Sequence, residues 1–365
     1  MKIVYVSSLI GNQSSGGGAV SYANFLGIKS VFSSISIINL NELTEHKIRL
    51  NALSKLTVLY HSLFKYSAGL SPKKEKVVLG LREVLEADYI WLDGSLFGQL
   101  AKKLKILFPE KKIVTFFHNV EFDFMSTLGE SRGALYNYIV KSSCYNESMS
   151  IQYSDHLVTL SSSDSNRILE LYGRAADLIL PVTFTSLNTE FDEVINNNND
   201  ILFVGSDFPP NVEALGFLCE KVMPFVSRKL VVVGKGMEKY KLKYNTHNVE
   251  IIGFVDDVSE FYQNSNIVVT PIFSGAGMKV KVAEALNHGK VVLGTNFSFV
   301  GYSNYNKEEN FLIKAETSSE YIKLLSSNFP SYSVHAKKYF EDHFSLNCTV
   351  RKIKEYFNAD LSGNF

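Results

Sequence analysis

Short runs of β-branched and aromatic residues recur along the chain, each followed by glycine, serine or a polar turn. The first series is KIVYVSS (2–8), SISIINL (34–40), DYIWLDG (88–94), KIVTFFH (112–118) and HLVTLSS (156–162). A second series is ILFVGS (201–206), LVVVGKG (230–236), VEIIGF (249–254), NIVVTPIF (266–273), KVVLGT (290–295) and NFLIK (310–314). Each run is continuously apolar rather than alternating, as in parallel strands covered by helices on both faces. The stretches between them carry helical spacing, so the pattern predicts repeated βαβ units and an α/β fold.

The two series break near residues 181–200, where Pro181 ends a strand signal and an asparagine run, Asn196 to Asn199, follows. Such a run cannot pack a core and favours turns, so it reads as a linker or exposed loop. This predicts two Rossmann-like domains, 1–183 and 184–339. The default ligand site is the cleft they would face, beyond the carboxyl ends of the strands. The last segment, Ser333 to Phe357, is predicted helical. It either packs on the second domain or, through residues 340–360, crosses back to the first.

Composition narrows the class. A chain of 365 residues is long for one core, and with 45% apolar residues both domains can bury one. Thirty-seven basic residues balance 37 acidic ones, which argues against a dedicated nucleic-acid binder. Cys144, Cys219 and Cys348 are few and scattered, fitting buried thiols in a reducing cytoplasm rather than a disulfide framework or zinc site. The opening MKIVYVSSLIG has strand-like residues and no cleavage-type ending, and no stretch of about 18 uncharged apolar residues exists. A soluble or membrane-peripheral cytoplasmic protein is expected.

The segment FSGAGMKVKVAEALNHGKVVLGT (273–295) carries the clearest chemistry. Ser274, Gly275, Ala276 and Gly277 form a flexible turn after a strand. A helix is predicted from about Met278 to Asn287, with Gly289 suited to a left-handed C-cap. Free N–H groups and the positive dipole end at its start make an anion site fit for a diphosphate. Lys279 and Lys281 fall in its first turn, where cations repel the dipole unless an anion is present. Lys281 and Glu284 share a helix face. Taken alone, a glycine turn before a helix is also a common purely structural feature of α/β folds.

The order of blocks in the second half resembles the nucleotide-binding domain of group 1 (family 4) glycosyltransferases, which have the GT-B fold. ILFVGSDFPPNVEALGFL (201–218) is similar to their opening strand, loop and helix, and LVVVGKG (230–236) to the next strand and loop. Residues 249–295 match the longest family block almost end to end. The first half is similar more loosely, through SSGGGAV (14–20) and FFHNVE (116–121). The resemblance implies that Glu284 binds the donor ribose, as the second glutamate of an E-x7-E motif. Lys281 matches a lysine of the capsule and exopolysaccharide branch. Gly275, Ala276, Gly277 and Met278 would meet the phosphates or sugar, Gly205 and Ser206 would line the site, and Phe254 and Val255 would lie beside the base. His118 and Asn119 would sit near the reacting sugar from the first domain, with Gly16, Gly17 and Gly18 facing donor phosphate or acceptor; His118 and Glu284 are the catalytic candidates.

The chain departs from the family pattern at Ala276, which stands where the first glutamate of the motif would be. Ser206 and Asn211 stand where a basic pair often lies, so phosphate neutralisation falls to Lys235, Lys279 or Lys281. Pro210-Asn211 matches the branch that carries the same replacements. No D-x-D exists, which disfavours the metal-held diphosphate of the other glycosyltransferase type. Asp256-Asp257 read as caps of a helix starting near Val258. GKG (234–236) is not a dinucleotide fingerprint. HSLFKYSAGLSPKKEK (61–76) joins Leu63, Phe64 and Tyr66 to Lys65, Lys73, Lys74 and Lys76, as either an anionic-lipid surface or a solvated helix.

The resulting expectation is transfer of a sugar from a nucleotide-diphosphate donor to a saccharide, plausibly lipid-linked, acceptor in bacterial surface polysaccharide synthesis. It would proceed with retention, without a metal and with no cofactor beyond the donor itself. A non-catalytic scaffold subunit and a sugar-nucleotide epimerase are the alternatives.

Overall fold

The structure, a computed structural model, describes residues 1–11, 15–43, 61–67, 69–129, 136–187, 200–275, 277–303, 305 and 307–362. The asparagine run and Ala276 lie outside the described residues. The chain divides into two compact units. One comprises Met1–Thr183 with Thr349–Phe365, the other Phe184–Cys348.

The first unit is a six-stranded sheet in the order β2-β1-β3-β4-β5-β6. Its strands are β1 (Lys2–Ser7), β2 (Ser34–Asn39), β3 (Tyr89–Leu92), β4 (Lys112–Phe117), β5 (His156–Thr159) and β6 (Leu178–Ile179). The second has the order β12-β11-β10-β7-β8-β9. It is built from β7 (Asp200–Val204), β8 (Leu230–Val233), β9 (Val249–Gly253), β10 (Ser265–Thr270), β11 (Val291–Gly294) and β12 (Leu312–Lys314). All pairings within both sheets are parallel. The central strands are buried on both faces, which is why their sequences run apolar without alternation.

Each sheet reverses its direction of growth once. In the first unit β1 stands between β2 and β3; in the second β7 stands between β8 and β10. At such a point adjacent strands send their following loops to opposite faces, leaving a crevice at their carboxyl ends. Residues just after β1 and β3, and just after β7 and β10, are therefore placed to line a site.

The C-terminal segment is two helices, not one. Val334–His343 belongs to the second unit, where Tyr339 donates from its hydroxyl to Ser303 O at 2.6 Å. The break comes at Phe344 and Ser345, where Ser345 forms a parallel bridge with Phe184. Leu346–Ser362 then carries the chain back to the first unit. There Tyr356 Oη lies 2.7 Å from His156 Nδ1, and the Phe357 ring packs edge-on against Phe32 and Tyr89. Among the described residues no helix is long and apolar enough to cross a membrane.

Candidate functional site

In the second unit the crevice beside β7 collects most of the predicted residues. Gly205 follows β7 directly, and the space beside it is tight: a Cβ there would lie 3.1 Å from Lys281 Nζ and 3.0 Å from Asn211 Cγ, so those side chains would have to give way. Gly234, after β8, approaches so closely that a Cβ would sit 1.9 Å from Gly205 O. The two glycines let the loops after β7 and β8 touch, and Lys235 lies between Gly234 and Gly236 with an exposed side chain.

The helix after β10 spans Val280–Asn287, two residues later than the sequence pattern predicts. Gly275 and Gly277 both have positive φ, 109° and 66°, so the turn extends further before the helix can begin. Lys279 is consequently the N-cap residue rather than part of the first turn. Its ammonium folds back to Gly277 O at 2.6 Å and lies 4.4 Å above the Phe297 ring. The helix start is partly occupied by protein: Tyr302 Oη accepts from Ala283 N at 3.0 Å and donates to Lys279 O at 2.8 Å. Met278 is buried against Gly301.

Lys281 is the unusual cation. Its Nζ donates to Asn211 Oδ1 at 2.6 Å and lies 4.9 Å from the Phe203 ring centroid. Among the described residues it forms no ion pair. Burial, reinforced by repulsion from Lys279, pulls its pKa down to about 7 against the attraction of Glu284. A cation held in so poor an environment is stabilised by any anion that enters.

Glu284, one helical turn on, accepts from Tyr262 Oη at 2.9 Å through Oε2. Tyr262 is fully buried and stacks on His288 with ring centroids 4.3 Å apart. Burial pushes the Glu284 carboxyl above its ordinary range; Tyr262 and Lys281 pull the other way. Ser206 is exposed on the loop after β7, where its carbonyl accepts from Asn211 Nδ2 at 2.9 Å. Phe254, just past β9, is 55% exposed, and Val255 beside it is half-buried. The helix after Asp256-Asp257 is Ser259–Gln263; its N-cap is Val258, so neither acid is the cap residue, although Asp257 accepts from Ser259 N at 2.8 Å.

In the first unit the corresponding crevice holds a network the sequence reading missed. His118 follows β4, and its Nε2 lies 2.9 Å from Asp93 Oδ1 at the end of β3. Asp93 Oδ2 accepts from Ser7 Oγ at 2.6 Å and from Ser21 Oγ. Burial opposes the charge on Asp93, but His118, Ser21 and Ser7 outweigh it and hold the carboxyl below its usual range. The available signal was the position of Asp93 itself, an acid closing the apolar run DYIWLDG at a strand's carboxyl end.

Gly16, Gly17 and Gly18 open the helix Gly16–Val31, capped by Ser15 Oγ accepting from Gly18 N at 3.1 Å. That helix carries Ser21, so Ser21 and His118 meet at Asp93. The turn after His118 has a second anchor. Asn119 Nδ2 donates to Glu121 Oε1 at 3.3 Å. Glu147 accepts from the backbone N–H groups of Glu121 and Phe122 at 2.7 and 3.0 Å, and from the Tyr172 hydroxyl at 2.8 Å. Burial raises the Glu147 pKa to about 7 despite these donors.

The segment 61–76 is split. Leu63 and Phe64 are exposed, but Tyr66 turns inward, donating to buried Glu75 at 3.1 Å, so it is not part of a surface patch. Among the described residues no cluster of three or more His, Cys, Asp or Glu is grouped to hold a metal.

Comparisons with known proteins define the class. Residues 198–327 match the family model described as "Glycosyl transferases group 1". Over 98% of its length the chain is similar in fold to all of Anabaena Alr3699/HepE in its complex with UDP, with a TM-score of 0.66 and 11% identity. The lipopolysaccharide outer core galactosyltransferase WaaB, over 100% of both chains, gives a TM-score of 0.57 at 12% identity. A Klebsiella pneumoniae "uncharacterized 44.6 kDa protein in cps region" is 24% identical over 135 residues, 33% of this chain and 35% of that protein. The match thus spans about a third of the curated relative. Residues 198–327, within the second unit, thus match a group 1 glycosyltransferase domain, and the fold is that of the GT-B glycosyltransferases.

Proposed function

We propose that the protein transfers a sugar from a nucleotide-diphosphate donor to a saccharide acceptor. The observation that carries this reading is Lys281: a poorly solvated cation beside Gly205 and Asn211, at the switch point of a group 1 domain. A diphosphate would neutralise it, and the same ammonium would stabilise the negative charge that grows on the leaving nucleotide. Glu284, steadied by Tyr262, takes the ribose hydroxyls; exposed Phe254 and Val255 take the base. HepE, similar in fold, is described in complex with UDP and with UDP-glucose, which supports a uridine nucleotide as the first donor to try.

The first unit handles the acceptor. His118 and Asn119, at the carboxyl end of β4, face the reacting sugar, and the loop Gly16–Gly18 faces the donor phosphate or the acceptor. The cps-region relative supports a place in surface polysaccharide assembly, where the acceptor is lipid-linked and exposed Leu63 and Phe64 rest on the inner face of the plasma membrane. The reaction proceeds with retention, and Lys281 supplies the charge that a metal would otherwise bring.

The test is a panel of nucleotide sugars screened by thermal shift, followed by nucleotide release with saccharide acceptors present. Stabilisation by one donor, with acceptor-dependent nucleotide release, is the expected result. A protein that no nucleotide sugar stabilises would be a scaffold and not an enzyme. Epimerised sugar formed without acceptor would replace transfer with epimerisation.

A further inference from the structure

We propose that Asp93 is a positioning residue that fixes the proton of neutral His118 on Nε2 and leaves Nδ1 as the nitrogen offered to substrate. The hydrogen bonds around Asp93 admit little else. Ser7 Oγ accepts from the backbone N–H groups of Leu9 and Ile10, at 2.9 and 3.1 Å, so both its lone pairs are used. Its one hydrogen has two acceptors in reach, Ser21 Oγ at 3.1 Å and Asp93 Oδ2 at 2.6 Å, and the shorter bond to the charged carboxylate is the stronger one. Ser21 Oγ donates to the same oxygen. With two donors on Oδ2, the remaining oxygen faces His118 as an acceptor, and His118 Nε2 must carry the hydrogen.

The surroundings keep that geometry rigid. Asp93 is completely buried at its side chain, and His118 is only 10% exposed. The His118 ring meets Phe116 edge-on at 4.8 Å, which limits its rotation. Gly94, at φ 156°, turns the chain immediately after Asp93, so that Ser95 reaches Glu147 Oε1 at 3.2 Å. Glu147 in turn holds the backbone of Glu121 and Phe122. One short turn, Asp93-Gly94-Ser95, thereby fixes the His118 loop twice, directly at the ring and, through Glu147, at the backbone. A histidine held in one tautomer presents the same atom at every turnover, which is what a carboxylate bound to its other ring nitrogen provides.

Asp93→Asn makes this testable. The Asn carbonyl would turn to the two serine hydroxyls, leaving its NH2 to donate to His118 Nε2. That forces the ring hydrogen onto Nδ1. The full-length protein, labelled with ¹⁵N-histidine, would be examined by two-bond ¹H–¹⁵N correlation above the histidine titration. Wild type should show Nε2–H and D93N should show Nδ1–H. With donor and acceptor from the transferase reading, on which this second arm rests, kcat should fall about 100-fold while the donor KM stays within about twofold. Neutral wild-type His118 with its hydrogen on Nδ1 overturns the inference; that spectrum decides alone if D93N fails to fold. Retention of Nε2–H in D93N, or an unchanged kcat after the tautomer flips, overturns it equally. The tautomer readout needs no substrate. A wild type with Nε2–H that transfers no sugar supports this assignment and refutes the transferase reading.

Discussion

The two units place opposite charges at the same topological position. At the first switch point a carboxylate, Asp93, is enclosed by three donors and stabilised in its charged form. At the second, an ammonium, Lys281, has one neutral oxygen and an aromatic ring for company, and its charge is suppressed. The first site is satisfied by its own residues; the second is short of an anion. The sheets differ in strand order, but each reverses once; that reversal decides where a site forms, while the hydrogen-bond balance of each crevice decides whether it orients a side chain or awaits a ligand.

Lys281→Met should separate the two most sharply. Removing a cation that pairs with a bound diphosphate is expected to weaken donor binding roughly 100-fold, about 3 kcal/mol. The same change should raise the thermal midpoint of the ligand-free protein, because an uncompensated charge disappears from a poorly solvated place. Calorimetry and thermal unfolding measured together check both signs. The wild-type pH profile sharpens this. With the folded pKa at about 7 and the ordinary value 10.5, the cost of charging Lys281 is fully present below pH 7 and is relieved as pH rises above it. Donor binding requires the charged form, so affinity should fall by up to about tenfold per pH unit above 7, with proton uptake on binding. Pair-wise equality of donor affinity at pH 6 and 9 would remove Lys281 from the donor site.

The first unit has its own titration, at Glu147. Its carboxyl has a raised folded pKa, so the folded state holds the proton more tightly than the unfolded chain between pH 4.5 and about 7. Stability contributed by the protonated form is fully present below pH 4.5 and is lost as pH rises through 7, by about 3 kcal/mol. Glu147→Gln should flatten the fall in unfolding free energy between pH 5 and 8; an equally steep profile in the variant would assign the dependence elsewhere.

Glu284→Ala should weaken donor binding by about 30-fold, roughly 2 kcal/mol, through loss of hydroxyl acceptors. The effect should vanish with a ligand lacking ribose hydroxyls, and near-normal binding in this variant would displace the ribose from Glu284. The smallest expected change is Tyr356→Phe. It removes the hydrogen bond to His156 and should cost about 1 kcal/mol of the first unit's stability, with donor affinity unaltered. A shift in donor affinity would mean that the returning helix reports to the second unit.

Much of this was legible in the chain. Continuous apolar runs located the strands because a parallel sheet buries both faces, and the signal ended by Pro181 corresponds to the short strand β6, two residues long. Lys281, Glu284 and the glycine turn before them were found because they lie within one short stretch, where helix spacing relates them directly. Asp93 was overlooked for the opposite reason. Its partners Ser7, Ser21 and His118 come from three other segments, as much as 86 residues away, and each is unremarkable in its own context.

The sequence by itself determined the α/β class, the two series of strands and the anion-seeking character of the turn and helix after β10, since these depend on periodicity and local backbone chemistry. Tertiary structure decided the rest. It brought Asn211 to Lys281 and Tyr262 to Glu284, turned Lys279 back on its own turn, and ended the helix Val334–His343 before the chain returned to the first unit. Above all it gathered Ser7, Ser21 and His118 around Asp93. Sheet order makes β1, β3 and β4 neighbours, and neither hydrophobic pattern nor local spacing encodes which strand ends will lie side by side.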